Sequence, residues 1–156
     1  MTLLARAVLV DCHLAHEMME GETDHDRLRV LWIGALALLR LIGDVLSKVD
    51  AKKDVKTSLA VSNRWAIQKV DPFFLEFIKG ARDRAVHEYD HDLLDSSEIP
   101  ILVQFSDGEI DTSELNDCLF MPLIGGYRAG EDARDVYVDA LKWWEIHIRE
   151  IERDLA

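Results

Sequence analysis

The chain has 156 residues, 49% of them apolar, and a formal net charge of −12. That length suits one domain spanning 1–156 that buries about two-thirds of its unfolded surface, and the apolar share excludes global disorder. The acidic balance excludes a general nucleic-acid binder, which presents a basic stripe.

The first predicted element runs from Thr2 to Met19, where Leu3, Leu4, Ala7, Val8, Cys12, Ala15 and Met19 recur at close to a 3.6-residue period before Gly21. A polar entry follows, with Thr23 or Asp24 as N-cap of a long helix from about Asp26 to Val49. Its centre is apolar nearly all round (Leu31, Trp32, Ile33, Leu36, Leu38, Leu39), which places it in the middle of a bundle. The uninterrupted apolar stretch Val30 to Leu39, closed by Arg40, is about ten residues and too short to span a bilayer.

Asp50 to Asp54 reads as a charged connector, and Val55 to Val70 as a helix weakened by Ser58, Ser62 and Asn63. Asp71-Pro72 is a strong start signal, an N-cap followed by proline at the first helical position. The helix it opens is predicted to reach about Leu94, burying Phe73, Phe74, Phe77, Ile78 and Ala81.

Beyond Ser96-Ser97, the segment Ile99 to Phe105 reads as a strand. Ser106-Asp107-Gly108 turns it, and Glu109 to Thr112 forms the other arm of a hairpin. Cys118 to Tyr127, with Gly125-Gly126, has no legible assignment. A last helix runs from about Glu131 to Leu155 with Val136, Leu141, Trp144, Ile148 and Ile151 on its apolar face. The expected fold is mainly α: an up-and-down bundle of four to five helices, with a small irregular or hairpin insertion at about 97–128 before the last helix.

Cys12 and Cys118 stand far apart and in no metal-ligand spacing, which fits free buried thiols in a reducing compartment. No cleavable signal pattern opens the chain, so a cytoplasmic protein with no membrane association is expected. Between Ala85 and Tyr127 there is no Lys or Arg, while Glu88, Asp90, Asp92, Asp95, Glu98, Asp107, Glu109 and Asp111 fall in that stretch. Such a face is either a solubility surface or a docking face for a basic protein. Near the N-terminus, Asp11, His13, His16, Glu17 and Glu20 give two carboxylate–imidazole pairs four residues apart. A metal would need further ligands such as His25, His91 or His147, and neither a metal nor a cofactor is expected. Trp32 and Trp65 are assigned to the core, and of Trp143-Trp144 one is core and one partly exposed.

The segment from Phe77 to Tyr89 concentrates the chemistry. Asp83 and His87 are four apart and face the same side, so the carboxylate is placed to hold one imidazole nitrogen. Arg84 is three residues from His87 and also a neighbour. Arg82 and His87 are five apart, about 140° round an ideal helix, and meet round one phosphate only across a second chain or at a helix distortion. The bland reading is a solvated helix face with minor ion pairs.

Arg82-x4-His87-x-Tyr89 resembles the Arg-x4–6-His signature of HEPN-domain proteins, in the form of HEPN toxins paired with minimal nucleotidyltransferase antitoxins. Asp83 matches the polar residue that often follows the arginine in that family. The resemblance implies an α-helical bundle and metal-independent RNA cleavage in a homodimer. His87 is then the acid/base, Arg82 the phosphate binder, Asp83 the orienting group, and Tyr89 the residue a partner nucleotidyltransferase adenylylates. Arg84 and Lys79 are the further substrate contacts. The competing expectation is a non-catalytic helical interaction or regulatory module whose acidic face binds a partner. An enzyme of this type needs Lys79, Arg82 and Arg84 gathered near His87, whereas a scaffold has Arg82 consumed by intrachain ion pairs and His87 buried.

Overall fold

The computed structural model describes residues 3–94, 100–114, 118 and 120–156; for residues 100–103 and 110–114 it describes the backbone only. The chain is a mainly helical bundle, as the apolar periodicity predicts. Its helices are α1 (Leu4–Glu20), α2 (His25–Lys48), α3 (Val55–Gln68), α4 (Gly80–His87) and α5 (Ala133–Leu155).

Caps fix the starts of these helices. Asp24, Asp54 and Asp132 each accept a backbone N–H of the first turn, from Arg27, Thr57 and Arg134 at 2.9, 2.7 and 2.9 Å. Helix α1 begins after Leu3 and has no local side-chain cap. Asp50, fully buried in the 3₁₀ turn Asp50–Lys52, supplies one from a distance. Its two carboxylate oxygens accept the N–H groups of Leu4 (2.9 Å) and Ala5 (3.0 Å), and Lys53 pairs with it at 2.6 Å. The predicted charged connector is therefore partly structural core. Thr2 lies outside the described residues.

Helices α1 and α5 pack on each other, α2 lies against α1 and α4, and α3 lies against α5. Trp32, Tyr137, Trp144, Phe74 and Phe77 fill the centre, each 1% exposed or less. Their rings meet edge-on or tilted, as at Trp32–Tyr137 (6.1 Å) and Phe74–Trp144 (6.3 Å).

Helix α2 lies in the middle of the bundle, as its apolar centre predicts: it meets α1, α3, α4 and α5, buries Trp32, Leu36 and Leu39 and packs Leu31, Ile33 and Leu38 against the core, while Val30 (67%) and Leu41 (42%) face outward. Two sequence expectations change here. The helical run of α2, His25–Lys52, is long and apolar enough by composition to cross a membrane, with a third of its most apolar window buried in the bundle. Arg40 falls inside that run, its guanidinium over the Phe74 ring at 5.7 Å and paired with Asp44 at 3.5 Å. Trp65 is 41% exposed rather than core, its ring edge-on to Phe74 at the rim of α3.

The hairpin is β1 (Pro100–Gln104) and β2 (Ile110–Glu114), antiparallel, with Val103 opposite Asp111. Gly108 (φ 87°) closes its turn by donating to the Phe105 carbonyl at 3.0 Å. Ile99 and the acids Asp95 and Glu98 lie outside the described residues. Residues 120–132 form β-bridges: Leu123 pairs with Leu93, and Pro122 with Asp132.

Candidate functional site

The helix opened by Asp71 starts as the Asp71-Pro72 signal predicts, with Asp71 accepting the Phe73 N–H at 2.8 Å. It then widens. Phe74–Lys79 is a π-helical turn, and the Gly80 N–H donates to the Leu75 carbonyl five residues back. This geometry explains Gly80. A Cβ built there stands 2.9 Å from the Leu75 carbonyl oxygen, so a side chain collides with backbone. The distortion lies before Arg82, and α4 itself is regular from Gly80 to His87. Arg82 and His87 therefore keep their separation of about 140°.

The helix also stops early. Glu88 caps it by donating to the Arg84 carbonyl (2.9 Å), and Tyr89 adopts φ 57°, the left-handed region. The predicted continuation to Leu94 is absent and Tyr89 is not a helical residue. The chain beyond it is tied to the bundle: Trp32 Nε1–H donates to the His91 carbonyl (2.9 Å), and Ile124 N–H to the Asp92 carbonyl (2.8 Å).

Each candidate side chain now has a position. Asp83 does not orient His87. Its carboxylate is held by Lys79 at 2.9 Å and Arg82 at 2.6 Å. Burial alone would raise its pKa, but those two cations hold it below the usual carboxylate value. Arg84 turns away from His87 too, to an ion pair with Asp92, a residue 7% exposed. His87 is exposed, and among the described residues no hydrogen bond or ion pair engages it. Tyr89 is 66% exposed, its ring edge-on to His91 at 6.0 Å. Arg29 stands near Tyr89 and pairs with Asp26 at 2.7 Å, which raises the guanidinium's pKa.

Arg82 and Val86, four apart, line one groove of about 300 Å³ with Gly34, Ala37, Leu38, Leu41 and Asp44 of α2. A Cβ at Gly34 would meet nothing within 4 Å, so the backbone of α2 is bare there. Leu41 and Val86 are 42% and 49% exposed. The structure thus brings Arg82 to an open apolar face and leaves His87 on a different side of the same helix.

Sequence reasoning missed two participants, Asp92 and Gly125-Gly126. The glycines close over the Arg84–Asp92 pair: a Cβ at Gly126 (φ 73°) would stand 2.6 Å from an Arg84 nitrogen, and one at Gly125 3.0 Å from an Asp92 oxygen. A Gly-Gly pair within an apolar run was the available signal for such a close approach.

Of the two N-terminal carboxylate–imidazole pairs, the described contacts keep one, His16 Nε2 to Glu20 at 3.4 Å. Among the described residues no group of three His, Cys, Asp or Glu side chains is placed to share a metal ion. Cys12 and Cys118 are buried, the Cys118 thiol donating to the Thr23 carbonyl at 3.3 Å, and burial pushes the Cys12 thiol up to about 12. Comparison of the chain with models of known families, with curated proteins and with solved structures returned no match.

Proposed function

We propose that the chain is a HEPN-like, metal-independent ribonuclease of the toxin–antitoxin or defence type, acting at a site shared by two copies. The observation that carries this reading is the division of α4. An exposed imidazole without a described partner stands on one side, and Arg82 stands on another, at the edge of an open apolar groove. A second copy seated on the groove lined by Gly34, Leu38, Leu41 and Val86 would cover that apolar surface. It would also bring His87 of one chain toward Arg82 of the other, which a regular helix forbids within one chain.

In that site the 2′-hydroxyl attacks the adjacent phosphorus and the bond to the 5′-oxygen breaks, leaving a cyclic phosphate and a 5′-hydroxyl. His87 takes the proton of the nucleophile or gives one to the leaving oxygen, and Arg82 offsets charge on the phosphate oxygens. The Arg82–Asp83 pair is no obstacle. A half-exposed surface pair contributes at most about 1 kcal/mol, so a phosphate competes for the guanidinium. Tyr89, exposed and beside Arg29, is open to modification by a nucleotidyltransferase-type antitoxin.

A second reading has its own support. From Lys79 to Asp92 the cations Lys79, Arg82 and Arg84 stand among Asp83, Glu88, Asp90 and Asp92, and all three are paired with carboxylates. That balance suits a non-catalytic interaction or regulatory module docking a basic partner on its acidic face.

RNA cleavage in EDTA separates the two. Wild type should cleave, and folded His87→Ala and Arg82→Ala should each lose about 100-fold or more. No cleavage by wild type across several RNAs would leave the interaction module.

A further inference from the structure

A second cavity, away from α4, is walled by α2, α3 and α5 and encloses about 270 Å³. Leu46, Val61 and Ile151 make its apolar wall, each 7% exposed or less, and Trp65 stands at its rim. Three polar side chains line it, Arg40, Ser47 and Gln68; the Ser47 hydroxyl donates back to the Gly43 carbonyl at 2.9 Å, which leaves Arg40 and Gln68.

Gln68 is the last residue of α3 and is 3% exposed. Its amide nitrogen is buried without a hydrogen-bond partner among the described residues. A buried donor with no acceptor costs the fold as much as a lost hydrogen bond, and native chains seldom keep one without a use. Arg40 approaches the backbone at Gly43. One of its terminal nitrogens stands 2.9 Å from where a Gly43 Cβ would be, and the Trp144 ring is 3.2 Å from the same point. The absent side chain is what makes room for the guanidinium. Among the described residues its one ion pair, to Asp44 at 3.5 Å, is long, and Lys48 shares that carboxylate at 3.3 Å. Arg40 therefore keeps N–H donors for another acceptor.

We infer that this cavity is a binding site for a small carboxylic acid with an apolar body, its carboxylate accepting from Arg40 and the Gln68 amide and its body lying among Leu46, Val61, Trp65 and Ile151. A planar guanidinium beside an amide donor matches the two oxygens of a carboxylate. The apolar wall with few polar groups is the composition of small-molecule sites. A neutral ligand would leave the spare guanidinium N–H donors without a charged acceptor, and a phosphorylated or sugar-like one would waste the wall. The site is independent of the ribonuclease reading, since none of its residues belongs to α4.

The test uses the full chain with 3-phenylpropionate and octanoate as probes and 3-phenylpropanol as the neutral match, followed by tryptophan fluorescence and calorimetry. Both acids should saturate one site per chain in the millimolar range or tighter, about ten-fold tighter than the alcohol. Arg40→Met and Gln68→Leu should each weaken the acids about ten-fold or more. Gln68→Leu should also raise the melting temperature of the unliganded protein, because it removes an unpaired buried amide. Val61→Phe, which fills the cavity from its wall, should block the acids while leaving both polar groups in place. Absence of saturable binding by either acid would overturn the inference. So would equal binding of the alcohol, or acid binding that survives Gln68→Leu and Val61→Phe.

Discussion

Replacing Gly80 with alanine tests whether the π-helical turn is built into the helix that carries Arg82. In an ordinary helix the change stabilises by about 1 kcal/mol, because alanine loses less backbone entropy than glycine. At Gly80 the new methyl stands 2.9 Å from the Leu75 carbonyl oxygen, the same oxygen that accepts the Gly80 N–H. Backbone cannot swing aside as a flexible side chain does. Overpacking of this kind costs about 1–3 kcal/mol, and a weakened backbone hydrogen bond costs about 1 kcal/mol more. Set against the propensity gain, the net loss is about 1–3 kcal/mol, or a melting temperature lower by about 2–10 °C for a domain of this size. Urea unfolding followed by far-ultraviolet circular dichroism measures it, with an unchanged m value showing that the denatured state is the same. A variant about 1 kcal/mol more stable than wild type would refute the reasoning. It would mean that the turn relaxes to an ordinary α-helix at no cost.

Two further outcomes follow from buried charge. Asp50→Ala removes the side-chain acceptor that caps the start of α1 and takes its partner from Lys53, so it should cost about 2 kcal/mol in urea unfolding; a change within error would show that α1 needs no cap. His147 is 7% exposed with its ring 4.0 Å from Trp143, and burial, then the Arg64 charge, push its pKa from 6.5 down to about 4. Its folded pKa lies below the unfolded one, so the unfolded chain binds the proton first. Stability from this residue is lost as pH falls from about 6.5 toward 4 and is flat above that window. His147→Phe should flatten that part of the urea-midpoint profile, whereas parallel profiles for variant and wild type would contradict the assignment.

Much of the fold was legible because its signals are local. Asp24, Asp71 and the 3.6-residue spacing in α2 and α5 each act within a turn or two of chain. The parts that escaped depend on partners far away in sequence. Asp50 reads as a connector residue until it meets the N-terminus of α1, some 46 positions back. The end of α4 was missed because Tyr89 takes a left-handed conformation that no glycine or asparagine announces. Gly80 carried a hint of the π turn, since a mid-helix glycine asks for a packing reason. In the candidate site, the α4 spacing of Arg82 and His87 was readable, but the partners of Asp83 and Arg84 were not. Helical spacing offered Asp83 both Lys79 and His87, each four residues away, and only the structure shows that Lys79 and the adjacent Arg82 take it while Arg84 goes to Asp92.

The shared site is tested most directly by mixing two inactive variants. His87→Ala and Arg82→Ala are purified, unfolded and refolded together, and assayed on RNA in EDTA beside each variant refolded alone. If His87 of one chain works with Arg82 of the other, a mixed dimer holds one intact site and one doubly defective site. Random pairing then restores about a quarter of wild-type activity. Failure of the mixture to exceed the separate variants, with dimers present by light scattering, would contradict a site built from two copies.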